Sequence, residues 1–180
     1  MRKWTNAFLM FTLCAALVGC SSAFSLRSGA NPEQSEPGIQ GYIVKIENGR
    51  FLVVSSVPKD FSSTGGIKEF YDAIWFSNAP NNIQIGHQVK VWFDIVAESY
   101  PGQSKAVKLS ILPNRKPERA DLTEAEAVRR ALAQQSDWNV PVIQSVTYDE
   151  YEDVWTIVVK EALQTEEGKT EHAIQVTDQS

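Results

Sequence analysis

The chain has 180 residues, of which 43% are hydrophobic and 22% are charged, a composition that excludes collagen-like, coiled-coil and low-complexity proteins. Its two cysteines are too few for a disulfide-rich scaffold. The formal net charge is −5 at pH 7, and this lack of a basic excess argues against nucleic acid as a partner.

The first residues have the pattern of an export signal. Arg2 and Lys3 provide a positive start, and an apolar run follows over residues 7–18. This run is too short for a membrane-spanning helix, which needs about 20 residues. We therefore predict a helical signal peptide over residues 1–19. The alternatives are an ordinary secreted signal peptide and an uncleaved N-terminal helix.

The end of the apolar run carries a second motif. Residues 17–20 read Leu-Val-Gly-Cys, which resembles a bacterial lipobox. The resemblance implies cleavage after Gly19 and attachment of a diacylglycerol to Cys20, whose two acyl chains would hold the protein in a membrane. It implies a lipoprotein at the outer face of the cytoplasmic membrane, of the Gram-positive type. Without Arg2 and Lys3 the mature chain has 15 basic and 22 acidic residues, a charge of −7.

A flexible tether is predicted next. Residues 20–38 are rich in Ser, Gly, Pro, Gln and Asn and show no apolar periodicity. Such a composition buries too little surface to offset the entropy lost on ordering. As a random chain the segment has a root-mean-square span of about 21–25 Å, which separates the folded part from the lipid surface.

Residues 39–113 predict a small β domain. Asn48-Gly49 is a strong signal for a type I′ hairpin turn, because both positions need positive φ. Residues 55–66 read as a polar loop, and residues 67–73 as a helical turn or the entry to a strand. Five short strands in this length favour a five-stranded OB-like barrel. The candidate strands cover residues 41–47, 51–54, 74–76, 89–93 and 107–111.

Several segments of this domain resemble a known family. They are residues 41–44 (Gly-Tyr-Ile-Val), 51–55, 74–76 (Ile-Trp-Phe), 86–92 and 98–103 (Glu-Ser-Tyr-Pro-Gly-Gln). Together they are similar to the YobA-like domain of unknown function, found in Gram-positive lipoproteins. The resemblance implies an OB-like barrel on a membrane-anchored lipoprotein, and it implies no known activity.

A second unit is predicted over residues 118–180, after a Pro- and charge-rich linker. Thr123 and Glu126 form a capping box at the start of an amphipathic helix. Strand patterns follow over residues 142–148, 155–159 and 173–176. One helix on a short antiparallel sheet is an α+β unit, and its element order is similar to half of a PepSY-type domain.

No catalytic or metal-binding motif stands out. His87 and His172 have no Cys or His at metal-ligand spacing, and nucleophile-elbow and zinc-protease motifs are absent from the sequence. The sequence therefore predicts no metal, no cofactor and no enzymatic activity. The alternatives are a cell-envelope hydrolase with two close carboxylates and an accessory inhibitor or folding factor.

Aromatic residues are the main candidates for ligand binding. Strand alternation places Trp75 opposite Phe76, and Trp92 opposite Phe93. One member of each pair is then free to face outward, where OB-type barrels bind extended ligands. We predict a non-enzymatic module that binds a surface protein, peptide or glycan through Trp75, Trp92 and Tyr100. In the alternative, the loop and the second unit cover these side chains.

Overall fold

The computed structural model of the chain describes residues 36–134, 137–163 and 171–179. The predicted signal peptide over residues 1–19, the lipid-attachment residue Cys20 and most of the tether lie outside the described residues. None of the helices among the described residues has the length and hydropathy needed to cross a membrane.

The fold is mainly β, as the sequence predicts, and the described residues form two sheets and one α-helix. A 3-10 turn lies at Ser62–Thr64. The strands and the helix are β1 Ile39–Glu47, β2 Arg50–Val54, β3 Ala73–Ser77, β4 Gln88–Trp92, β5 Val96–Ala97, β6 Gly102–Lys105, β7 Lys108–Ile111, α1 Glu124–Gln134, β8 Pro141–Asp149, β9 Val154–Glu161 and β10 His172–Thr177.

The β1–β2 hairpin forms where the turn signal predicts it. Asn48 and Gly49 have φ values of 51° and 73°, the positive pair that a type I′ turn requires. Glu47 pairs with Arg50 across this turn. The predicted hairpin is confirmed, because its turn depends on local backbone chemistry alone.

The first sheet corrects the predicted barrel. It has seven strands in the order β5-β6-β3-β2-β1-β4-β7, and its edge strands β5 and β7 do not pair to close a barrel. The predicted five-stranded barrel is therefore corrected to an open sheet of seven strands. The predicted set of five strands omits β5 and β6. The sequence of β6 is Gly-Gln-Ser-Lys, which has no apolar alternation to indicate a strand.

This open sheet is nevertheless strongly curled. β6 pairs in parallel with β3, and β7 pairs antiparallel with β4 near the opposite edge. Only Ala106 and Val107 separate β6 from β7, and such a link reaches at most about 11 Å. The two sides of the sheet must therefore approach each other. An inner core fills the curl, made of Ile39, Ile43, Phe51, Val53, Ile74, Phe76, Ile83, Val89 and Val91.

The helix begins at the predicted capping box. The backbone N–H and the hydroxyl of Thr123 donate to Oε2 of Glu126 at 2.8 and 2.7 Å. Glu126 N–H donates back to Thr123 Oγ1 at 3.4 Å. These bonds use the amide groups that a helix start leaves without partners, and they confirm the predicted helix start.

The three predicted C-terminal strands form a second, antiparallel sheet. Its order is β10-β9-β8, with α1 packed against β9 and β10. The acidic segment Asp149–Asp153 turns the chain between β8 and β9. Gln144 is the extra residue of a bulge in β8, between Ile143 and Ser145. Val142 and Ile143, just before the bulge, are both buried.

A shared core joins the two sheets into one compact unit. Leu52 and Val54 contribute from the outer face of the curled sheet, while Val128 of α1 and Trp155 of β9 contribute from the other side. A hydrogen bond crosses the same junction, from Tyr42 Oη to Glu124 Oε1 at 2.6 Å. The segments that the sequence describes as two units therefore pack on each other in the structure.

Candidate functional site

Trp75 lies half-buried on the outer face of β3. Its strand neighbour Phe76 is fully buried in the inner core, which confirms the predicted alternation. The Arg50 guanidinium lies 5.0 Å from the centre of the Trp75 ring, a cation–π contact. The ring also packs against the shared core, so little of it faces solvent.

Trp92 lies on the outer face of β4, far from Trp75. Lys108 Nζ is 5.0 Å from its ring centre, and Phe93 on the opposite face packs on Phe76 at 5.4 Å. Along the β6–β7 segment, Trp75 pairs with Gln103 and Trp92 pairs with Lys108. In the sheet, β2 and β1 lie between β3 and β4, a path of about 14 Å along the sheet at about 4.8 Å per strand. Trp75 packs on the shared core whereas Trp92 contacts Lys108, so the two tryptophans have different surroundings.

Tyr100 belongs to a row of aromatic rings that runs from the partly buried Tyr100 to the exposed Phe61. Its ring meets Phe70 edge-on at 5.6 Å, and Phe70 meets Phe61 in the same way at 5.6 Å. The Tyr100 hydroxyl donates to the Tyr71 carbonyl at 2.9 Å. Burial raises the pKa of Tyr100 to about 12, with the charges of Glu161 and Asp72 adding to the effect. The phenol therefore stays protonated and works as a fixed donor.

The row extends along a short hairpin, here called the 59–70 hairpin. Lys59 and Phe70 exchange two backbone hydrogen bonds of 2.7 and 2.9 Å, and Phe61 N–H donates to the Ile67 carbonyl at 3.0 Å. Asp60 Oδ1 accepts from the backbone and hydroxyl of Ser62 at 2.8 and 2.6 Å and caps the turn. The tip is apolar, with Phe61 43% and Ile67 51% exposed.

A partly buried ion pair joins the base of the hairpin to the second sheet. Lys160 on β9 is only 7% exposed. Its Nζ donates to Glu69 Oε2 at 2.6 Å and lies 4.7 Å from the centre of the Tyr71 ring. Burial alone would lower the pKa of Lys160, but the contacts with Glu69 and Tyr71 outweigh it and raise the pKa. The amine therefore stays charged and is not a free nucleophile.

Three carboxyl groups among the described residues, Asp60, Glu126 and Asp178, have lowered pKa values. A general acid would need a raised pKa. No group of three His, Cys, Asp or Glu side chains in the described ranges could hold a metal ion. His172 instead packs edge-on against Trp138 at 5.2 Å.

The sequence reasoning missed the 59–70 hairpin. Residues 55–66 read as a polar loop because Ser62, Ser63 and Thr64 dominate it. The useful signal was the placement of Phe61 and Ile67 on either side of the Ser-Ser-Thr-Gly-Gly turn. Apolar residues flanking a glycine-containing turn are typical of a hairpin.

Comparison with known proteins finds a family match for part of the chain. No curated protein matches the chain, and no solved structure matches it. Residues 40–113, which include the curled sheet and the 59–70 hairpin, match the family described as "Protein of unknown function (DUF3221)". This segment is therefore similar to a domain of unknown function, as its sequence motifs indicate.

Proposed function

We propose that the protein is a lipid-anchored binding module at the outer face of the cytoplasmic membrane, and that its partner is a surface protein or peptide. The observation that carries the proposal is the exposed apolar tip of the 59–70 hairpin. The anchor is Cys20, on the resemblance of residues 17–20 to a lipobox. The tether then gives the module a reach of about 21–25 Å.

The tip is suited to binding because it is apolar and already ordered. Phe61 and Ile67 are held by a backbone hydrogen bond, and Phe61 rests against Phe70. Burying one such side chain against a partner contributes about 1.5–3 kcal/mol. Ordering before binding removes part of the entropy cost of association. Rigid aromatic side chains are also the type that carries most binding energy at protein interfaces.

The polar groups beside the tip favour a protein over a glycan. Asp60 and Ser62 are hydrogen-bonded to each other, and Lys59 is paired with Asp72 at 2.5 Å. Glycan recognition needs polar groups that are free to orient many hydroxyls. An apolar tip with internally paired neighbours instead matches an apolar peptide or protein surface. Nucleic acid is disfavoured by the mature charge of −7 from 15 basic and 22 acidic residues.

We also propose a finer description of the fold. The curled sheet has an OB-like arrangement, supported by the parallel β3–β6 pairing and by the short link from β6 to β7. The helix and second sheet have a PepSY-like order of elements. A non-enzymatic role is supported by the charged state of Lys160 and by the lowered pKa values of the displaced carboxyl groups.

Site-specific photocrosslinking on intact cells tests the proposed surface. A benzophenone amino acid replaces Ile67 in one strain and Tyr151 in another, since Tyr151 is 86% exposed on the turn between β8 and β9. We expect a discrete protein adduct from position 67 that is absent from position 151. Adding Phe61→Ser removes apolar contact from the tip and lowers the adduct yield about tenfold.

Two results would contradict the proposed surface. One is the same adduct, in equal yield, from positions 67 and 151. The other is an adduct yield that Phe61→Ser leaves unchanged while the variant keeps its melting temperature. An adduct with a glycan polymer instead of a protein would keep the surface and replace the partner class.

A further inference from the structure

A second site, independent of the 59–70 hairpin, lies at the junction of the two sheets. It is a half-open groove of about 250 Å³ between β1, the turn before β4, the C-terminal half of α1 and the segment leading into β8. Its apolar walls are formed by Val44, Ile85, Leu132 and Pro141. Apolar grooves with a few polar groups are the usual form of small-molecule sites.

Two cations, Lys45 and Arg129, line this groove, and its described lining residues include no carboxylate. The side chain of Lys45 makes no hydrogen bond or ion pair with any residue that the structure describes. Arg129 Nη1 donates to the neutral amide oxygen of Gln84 at 3.0 Å. The positive charge of Arg129 adds to burial in lowering the pKa of His87. This corner is thus locally positive, in a chain whose net charge is −5.

The acidic groups around the groove are already engaged. Glu161, which pairs with Pro141 across β8 and β9, accepts from the backbone N–H groups of Asn139 and Val140 at 2.8 and 2.6 Å. Glu126, on the first turn of α1, accepts from Thr123. The charge of Arg129 also helps to lower the pKa of Glu126, so the two side chains attract each other. Neither Glu126 nor Glu161 lines the groove, whereas Lys45 and Arg129 do.

One wall also holds a hydrogen-bond donor without an acceptor. Trp138 lines the groove, and its indole Nε1–H is buried with no acceptor among the residues described. A buried donor without a partner costs about 1–3 kcal/mol. Because the indole ring forms part of the wall, its N–H resonance reports on a molecule that binds in the groove.

We propose that the groove binds a small amphipathic anion, an apolar body bearing one carboxylate. The apolar body lies against Val44 and Leu132, and the carboxylate lies near Lys45 and Arg129. A water molecule takes about 30 Å³, so the groove holds about eight water-sized groups. A compact acid such as cyclohexanecarboxylate matches this size. An ammonium compound with the same apolar ring would be repelled by the two cations.

The test is an NMR titration of the full chain in detergent with cyclohexanecarboxylate and, separately, with cyclohexylmethylammonium. We expect the carboxylate to shift the indole N–H resonance of Trp138 saturably and to leave that of the buried Trp155 unchanged. The ammonium compound should give no saturable shift. The double variant Lys45→Gln with Arg129→Gln should weaken carboxylate binding at least tenfold. Lys105→Gln, an exposed cation on β6, should leave the affinity unchanged.

Three results would overturn the proposal. They are equal affinity for the two compounds, unchanged carboxylate affinity in the double variant, and a shift that grows linearly with concentration without saturation. Loss of affinity in Lys105→Gln to the same extent would also overturn it, because the effect would then follow net charge and not the groove. Photocrosslinking at position 67 does not depend on any of these outcomes.

Discussion

Replacing Asp178 by Asn is expected to lower the free energy of unfolding by about 3 kcal/mol. The Asp178 carboxylate is 1% exposed. Its Oδ1 accepts from Leu122 N–H at 2.9 Å and from Trp155 Nε1–H at 2.8 Å, and its Oδ2 accepts from Asp121 N–H. An amide at this position removes the charge and presents an N–H₂ group to one of the three donors. The end of the chain then loses its attachment to the segment that precedes α1.

Asp149→Asn is the matched control for this change. Asp149 also accepts two backbone N–H groups, from Tyr151 and Glu152 at 2.9 and 3.1 Å, but on an exposed turn. An Asn side chain can keep this turn, so we expect a loss below about 1 kcal/mol. Urea denaturation of the two variants gives the comparison. Equal losses in both would contradict the buried role of Asp178.

The same carboxylate predicts a pH dependence of stability. Burial alone would raise the pKa of Asp178, but the three N–H donors outweigh it and hold the pKa below its ordinary value of 3.8. The stabilisation is therefore present above that value and is lost as the pH falls through the lower, folded-state pKa. In Asp178→Asn, the free energy of unfolding should lack this part of its decrease at low pH. A series of urea denaturations at different pH values measures the difference.

Gly86→Ala is expected to destabilise the fold by about 3 kcal/mol or more. Gly86 has a φ of +94°, and an added Cβ would lie 2.1 Å from the carbonyl oxygen of Ala125 in the first turn of α1. Gly86 N–H also donates to the Ile43 carbonyl of β1 at 2.8 Å. The turn is thus held between the curled sheet and the helix. A methyl group must either push the helix away or break this hydrogen bond.

Gly49→Ala separates the backbone strain from the clash. Gly49 has a similar φ of +73°, with no atom within 4 Å of an added Cβ. We expect a loss of about 1 kcal/mol from strain alone. The difference between the two variants, measured by urea denaturation, reports how closely the turn approaches the helix. A loss in Gly86→Ala no larger than in Gly49→Ala would contradict the packing of α1 on the curled sheet.

Locally determined features are the ones that the sequence predicts well. The Asn48-Gly49 turn and the capping box of Thr123 and Glu126 form as expected, because each depends on residues close together in the chain. The continuous apolar run over residues 51–54 is buried on both faces. What covers its outer face, the second unit, could not be inferred, because that contact joins segments far apart in sequence.

Features that depend on distant pairing were missed. β6 contains Gly102 and three polar residues and has no strand pattern, and its parallel pairing with β3 gives it an extended conformation. The same problem affects the candidate site. Trp75 and Trp92 were selected by residue type, but β2 and β1 lie between their strands in the sheet. Trp75 packs on the shared core, while Trp92 contacts Lys108. Tyr100 lies in the row of aromatic rings with Phe61 and Phe70. The sequence analysis assigned Phe61 to a polar loop and Phe70 to a helical turn or the entry to a strand.

Membrane fractionation with metabolic labelling by an alkyne fatty acid tests most directly whether a lipid on Cys20 holds the folded module outside the cell. We expect the native protein to be labelled, bound to membranes and accessible to protease on intact cells. Cys20→Ser should be unlabelled, and either released or retained as an uncleaved precursor. Cys14→Ser should behave like the native protein, because the signal peptide is removed. Labelling and membrane binding of Cys20→Ser at native levels would contradict lipid attachment at Cys20.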